Sequence, residues 1–219
     1  MVPVERQNKT RFQVERDEMI SLLREKGIKD ERLLSAMLKV ERHEFVSMPF
    51  KNRSYEDSAL PIGEEQTISQ PYTVAIMTEA LEVHRGDRIL EIGTGSGYQA
   101  AVLVEMGAKV FTIERHSALL NDARKQLERL KYDVVSKAGD GTLGWKDFAP
   151  FDGIIATAAA PDVPEPLKEQ LNDGGRLVIP VGDLNVQDLC IIKRVHSSFH
   201  SRMINGFKFV PMIGKKGWQ

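Results

Sequence analysis

The sequence predicts an α/β protein built on a doubly wound, mostly parallel sheet, with an N-terminal helical flank and late antiparallel strands. Three observations point there. Short β-branched and apolar runs alternate with helix-forming stretches through residue 181. The run Ile89 to Ile92 stops at a glycine-rich turn, Gly93-Thr94-Gly95-Ser96-Gly97, before good helix formers resume from Gln99 to Val104. Two final strand-like runs, Gln187 to Val195 and Met203 to Pro211, have no full helix between them, which implies antiparallel pairing.

Taken in order, Phe12, Met19, Ile20, Leu22 and Leu23 recur at helical spacing between Arg11 and Lys26, and Gly27 is placed to stop that helix. Asp30 reads as the N-cap of a second helix that buries Leu33, Leu34, Met37, Leu38 and Val40. Lys51 to Glu65 is rich in turn formers and reads as an irregular connection. Pro71 suits a first helical position, with Ala75, Ile76, Met77, Ala80 and Leu81 behind it, so Ser69 and Gln70 stand just ahead of a helix N-terminus. Beyond the glycine turn come a second strand, Lys109 to Ile113, an amphipathic helix from Ser117 to Lys131, and a third strand, Asp133 to Lys137. A fourth strand, Phe151 to Ala156, and a fifth, Gly175 to Pro180, flank a short helix around Glu165 to Leu171. The expected organisation is one domain over 1–219, with 1–65 as helical flank and leading loop and 66–219 as cofactor-binding core and C-terminal strands.

With 219 residues, 42% of them hydrophobic, the chain can bury one sizeable core. A net charge of −1 gives no global attraction to nucleic acid or to an acidic membrane, so neither is expected as a partner. No segment approaches the roughly 18 uninterrupted apolar residues of a membrane helix, and Met1 to Arg16 is charged with no apolar secretory region. A cytoplasmic monomer is the expectation. Cys190 sits in the apolar run Leu189-Cys190-Ile191-Ile192 and reads as a small core residue. The histidines show no zinc-like pairing except the His196/His200 spacing, which lacks the H-E-x-x-H pattern, and no metal is expected. After Asp188 there are six Lys or Arg and no acid, which reads as a solvated face or as a surface that draws in an acidic substrate.

The chemistry concentrates around the glycine turn. Its spacing is G-x-G-x-G rather than the G-x-G-x-x-G of a dinucleotide site, and a carboxylate, Glu91, precedes Gly93 by two residues. Beside a pyrophosphate that acid would repel; beside the cationic amino acid half of S-adenosylmethionine it would attract. Glu114, at the end of the next strand and 21 positions after Gly93, stands where a carboxylate commonly holds a ribose diol, a feature NAD enzymes share. Asp140 lies between Gly139 and Gly141 at a third strand end, where it can accept from an adenine amine or serve as a plain turn residue. Ser69, on its position alone, reads as a helix cap.

Several segments together resemble one family. Thr67-Ile68-Ser69-Gln70-Pro71-Tyr72, the Glu91 to Gly97 motif, Gly139-Asp140-Gly141, Tyr55 to Gly63 and Gly174 to Gly182 look like protein-L-isoaspartate O-methyltransferase, and the match runs in order from about Val40 to Trp218. The resemblance implies a Rossmann-like methyltransferase fold with S-adenosyl-L-methionine as cofactor. It implies methyl transfer to the α-carboxylate of L-isoaspartyl residues in damaged proteins and peptides, which starts repair through a succinimide. By the same resemblance Ser69 is the active-site residue, Gln66, Thr67, Ile68, Ser69 and Glu91 serve the methionine side, and Gly93, Gly95 and Gly97 form the cofactor turn. Glu114 serves the ribose, and Asp140 with Gly141 the adenine. In one place the chain departs: Val210-Pro211-Met212-Ile213 has isoleucine where family members often carry threonine, so a hydroxyl contact from that position is not carried over.

Overall fold

A computed structural model describes residues 9–219; Met1 to Asn8, half of the charged start, lie outside the described residues. Helix α1 (Arg11–Glu25) opens with a capping box in which Thr10 accepts from the Gln13 N–H and the Gln13 side chain accepts in return from the Thr10 N–H. Asp30 caps α2 (Glu31–Lys39) as the sequence predicts, accepting from the N–H groups of Arg32 and Leu33. The two helices bury Met19, Ile20, Leu23, Leu33, Leu34 and Met37 in one cluster, whereas Leu38 falls on the outer side of that stripe and is 38% exposed.

The stretch expected to be irregular is partly ordered. Met48–Arg53 forms a 3-10 helix, and β1 (Leu60–Gly63) pairs antiparallel with β2 (Gln66–Ile68). Glu64 and Glu65 close this hairpin with φ of 48° and 56°. Both occupy the left-handed region that two-residue hairpin turns demand and that Asn-Gly usually fills. A four-residue strand containing a proline and a turn of two glutamates conceal the hairpin from pattern reading.

Helix α3 (Pro71–Leu81) begins at Pro71 as expected, but its N-cap is Gln70 and no side chain of its own segment caps it. Asp57 instead accepts from the Tyr72 N–H at 2.8 Å, which leaves the Ser69 hydroxyl free of capping duty. Then come β3 (Arg88–Ile92), α4 (Tyr98–Glu105), β4 (Lys109–Glu114), α5 (Ser117–Arg129), β5 (Val134–Ala138), β6 (Phe151–Ala156), α6 (Glu165–Glu169), β7 (Leu171–Gly182), β8 (Gln187–Val195) and β9 (Ser198–Phe207). The last strand starts earlier than Met203, because only His196 and Ser197 separate it from β8 and His196 takes a φ of 54°.

Seven strands pair in the order β5-β4-β3-β6-β7-β8-β9, parallel through β7 and antiparallel thereafter. The order reverses between β3 and β6, and such a reversal opens a crevice beyond the carboxyl ends of the strands. Side chains alternate across the sheet: Leu90 and Ile92 join Phe111, Trp145 and Leu167 on one face, while Ile89 and Val110 meet α3 and α4 on the other. Cys190 is buried in the first of these clusters. Of the late basic residues, only Arg194 is half-buried, donating to the Leu171 carbonyl; the others are exposed or, for Lys215 and Lys216, exposed with their N–H groups engaged. Among the described residues no helix is long and apolar enough to cross a membrane.

Candidate active site

A cavity of about 360 Å³ opens at the switch point. It falls within the usual range for small-ligand sites. Its walls are the hairpin segment from Glu64 to Ser69, Glu91 to Ser96, Tyr98, Glu114 to His116, Gly141, Thr157, Ala158 and the stretch from Val210 to Ile213. The structure therefore brings Gln66, Thr67, Ile68, Ser69, Glu91, Gly93, Gly95, Glu114 and Gly141 to one cavity. Gly97 lies behind the wall against Leu127, and Asp140 is not among the lining residues.

Glu91 is the anomaly of the site. Its position in β3, opposite Thr112 in β4, directs the side chain to the α3/α4 face, where it is fully buried. Oε2 accepts from Thr112 Oγ1 at 2.5 Å, and Oε1 has no partner at all. Burial pushes its carboxyl up to about 8, opposed only in part by the Thr112 bond and the Ala100 N–H at the head of α4 and reinforced by the nearby Glu114 charge. A buried carboxylate oxygen with nothing to accept from is costly unless a ligand supplies the donor.

Glu114, by contrast, is fully oriented by the backbone. Oε2 accepts from the Gly95 N–H and Oε1 from the His116 N–H, both at 2.9 Å. This ties the glycine turn to the tip of β4. Gly93 sits in the left-handed region at φ 95°, and a Cβ there would come within 2.5 Å of Thr157 Oγ1, whose hydroxyl donates to the Ile92 and Gly93 carbonyls. No side chain fits that corner.

Asp140 works within the fold. Its Oδ1 accepts from the N–H and hydroxyl of Thr142, and its Oδ2 from the Lys215 N–H, so a segment 75 residues on is pinned beside it. Hydrogen bonds from the Lys215 and Thr142 backbones and the Thr142 hydroxyl outweigh burial and hold its carboxyl below the ordinary aspartate value. With about four lone-pair sites on a carboxylate, one remains for a further donor. Gly141 packs onto β3: a Cβ there would lie 2.3 Å from Ile92 Cγ2.

Some walls were invisible to motif reading. Glu64 and Glu65 enter through the hairpin, and His116 Nδ1 stands 3.7 Å from Glu64 Oε2. Val210 to Ile213 arrive from beyond β9, held by bonds between the Ala159 N–H and Val210 carbonyl and between the Met212 N–H and Ala159 carbonyl. Apart from the family resemblance, which singles out Ile213, the sequence signal for that segment is its valine-proline pair; Ile213 lines the cavity with a hydrocarbon side chain.

The unpartnered Glu91 oxygen, the Glu114 carboxylate one strand over and the glycine turn between them fit an amino acid and a ribose joined in one ligand. The fold and site define a class I S-adenosylmethionine-dependent methyltransferase. The model of the protein-L-isoaspartate(D-aspartate) O-methyltransferase family matches residues 14–217, and the chain belongs to that family. It is 49% identical over 209 residues to the protein-L-isoaspartate O-methyltransferase of Dictyoglomus thermophilum, covering 95% of each chain. To that of Salinibacter ruber it is 50% identical over 214 residues, covering 93% of each. A solved protein-L-isoaspartate O-methyltransferase superposes with a TM-score of 0.83 at 31% identity, over 92% of this chain and 67% of that one. A Plasmodium falciparum structure in complex with S-adenosyl-L-homocysteine shares the fold, with a TM-score of 0.79 at 24% identity, over 90% and 98% of the two chains.

Proposed function

We propose that this enzyme methylates the α-carboxylate of L-isoaspartyl residues in damaged proteins and peptides, with Ser69 placing that carboxylate and Glu91 receiving the cofactor's ammonium. The observation that carries the reading is the orphaned, fully buried Oε1 of Glu91 in a cavity that Ser69 also lines. When bound, S-adenosylmethionine supplies a methyl group on a sulfonium centre, already activated for displacement.

The chain's own residues have little acid–base work to do. An acceptor carboxylate is an anion at neutral pH, so no strong base is needed to prepare it. What remains is alignment, which can contribute on the order of 7–11 kcal/mol at its limit. Gln66 to Ser69 form the wall on the methionine side, and Ser69 Oγ, excused from helix capping by Asp57, donates to the acceptor carboxylate. Glu114, fixed by Gly95 and His116, accepts from the ribose hydroxyls. Asp140 offers its remaining lone pair to the adenine amine, and Gly93, Gly95 and Gly97 shape the turn. The resulting ester closes to a succinimide without the enzyme's help.

We take the described residues 9–219 as one domain; the buried cluster that α1 and α2 share with α3 and α4 supports this. The net charge of −1 gives no global attraction to nucleic acid or to an acidic membrane, and we take the protein to work in the cytoplasm as a monomer. The test is transfer of labelled methyl to paired peptides that differ only in isoaspartate or aspartate. Base-labile label on the isoaspartyl peptide alone supports the reading; label on neither peptide, or equally on both, overturns it.

A further inference from the structure

Among the described residues the largest fully buried side chain is a cation outside the catalytic wall. Arg42, in the short 3-10 turn Arg42–Phe45, is 0% exposed. Burial presses its guanidinium below the usual arginine range, yet no carboxylate lies within hydrogen-bond reach of it among the described residues. A buried charge without an ionic partner is expensive, and a fold retains one where its donors are used.

Those donors reach two carbonyls. Nε donates to the Ser54 carbonyl at 2.7 Å and Nη2 to the Ser69 carbonyl at 2.8 Å, Nη1 has no hydrogen-bond partner among the described residues, and the guanidinium carbon stands 4.8 Å from the centre of the Tyr98 ring. Tyr98 opens α4 directly after the glycine turn and lines the cavity. Arg42 therefore fixes the peptide plane of Ser69 against the first residue of the cofactor helix. Neighbouring devices hold the same corner from other sides: Asp57 accepts from the Tyr72 N–H, and Lys26 of the helical flank pairs with Asp57 at 2.5 Å.

We infer that Arg42 is a positioning residue for the methyl transfer: its planar fork holds the Ser69 carbonyl so that the Ser69 hydroxyl faces the acceptor carboxylate. A guanidinium does this because two donors diverge from one rigid plane; an ammonium on a flexible stem cannot hold both carbonyls in the same geometry. The inference rests on the reading of Ser69 given above.

A double-mutant cycle separates the two. Arg42→Lys is expected to lower kcat on an isoaspartyl peptide about 100-fold, the scale on which displacing an aligned group by an ångström acts. In a Ser69→Ala background the same change is expected to cost less than about threefold, because coupled residues are not additive. Affinity for S-adenosylhomocysteine, measured by calorimetry, stays within about threefold in each variant. Should Arg42→Lys fold poorly, Arg42→Met keeps the length without a buried charge and serves in the same cycle. Equal losses in both backgrounds, or a loss of S-adenosylhomocysteine affinity as large as the loss of kcat, overturn the role of Arg42. If Ser69→Ala alone leaves turnover intact, it is the assignment of Ser69 that fails.

Discussion

Thr112 donates its hydroxyl to Glu91 Oε2 at 2.5 Å across adjacent parallel strands, and among the described residues it is the one side chain that donates to the buried Glu91 carboxyl. Thr112 Oγ1 also lies 2.7 Å from Thr94 Oγ1, so the acid, the strand beside it and the glycine turn are coupled through one hydroxyl. Replacing Thr112 with valine keeps the shape and removes the link. We expect Thr112→Val to lower stability by about 1–3 kcal/mol in urea denaturation, the cost of leaving a buried acceptor unmet. A change within a few tenths would show that the bond contributes nothing net.

Glu91 also sets a pH dependence. Its carboxyl titrates near 8 in the folded chain, above the ordinary glutamate value in the unfolded one. Between those values the folded state holds more protons, so stability falls as pH rises through that window and is fully present only below it. Melting of the ligand-free protein from pH 5 to 9 is expected to show this loss, on the order of a few kcal/mol. Glu91→Gln removes that contribution, and identical pH profiles for the two proteins would refute the assignment.

The same variant tests the ligand side. Glu91→Gln keeps the side chain's size and loses its charge, so S-adenosylmethionine is expected to bind about 100-fold more weakly, as when one member of a buried ion pair is removed. Isothermal calorimetry measures this directly. Unchanged affinity would place the ammonium elsewhere.

On the role proposed for Ser69, in which its hydroxyl meets the acceptor rather than the donor of the methyl group, Ser69→Ala is expected to slow turnover while largely sparing cofactor affinity. Single-turnover rates with saturating cofactor, set beside calorimetry, decide it. Loss of binding with an unchanged rate per bound complex would contradict the role.

Gly141→Ala brings a methyl group 2.3 Å from Ile92 Cγ2 and is expected to cost about 1–3 kcal/mol as an overpacked contact. Adding Ile92→Leu, which carries no methyl on Cβ, should recover part of the loss. No recovery in thermal melts would locate the cost in the backbone of the turn.

Strands and helices from Pro71 to Pro180 could be read directly, because their apolar periods, glycine turns and N1 proline all favour the same elements. The hairpin before them could not. Its strands are shorter than one period of reliable alternation, and its turn residues belong to the wrong chemical class for their backbone. The acids Glu91 and Glu114 stood out by their offsets from Gly93. What set them apart, one with an orphaned oxygen and one anchored by two backbone N–H groups, depends on register between strands, which spacing along the chain does not carry. Arg42 stands behind the cavity and bears on it through the Ser69 carbonyl, Val210 to Ile213 reach it through tertiary contacts, and a lone arginine or a valine-proline pair has no local signature for either.

An acid that keeps its hydrogen ion until a cation arrives makes ligand capture an ionisation event. On the proposed pairing of Glu91 with the cofactor's ammonium, each cofactor molecule taken up near neutrality is expected to expel such an ion into the solvent, and each spent molecule that leaves to draw one back. The heat of association will therefore differ from one buffer to another in proportion to the buffer's own enthalpy of protonation.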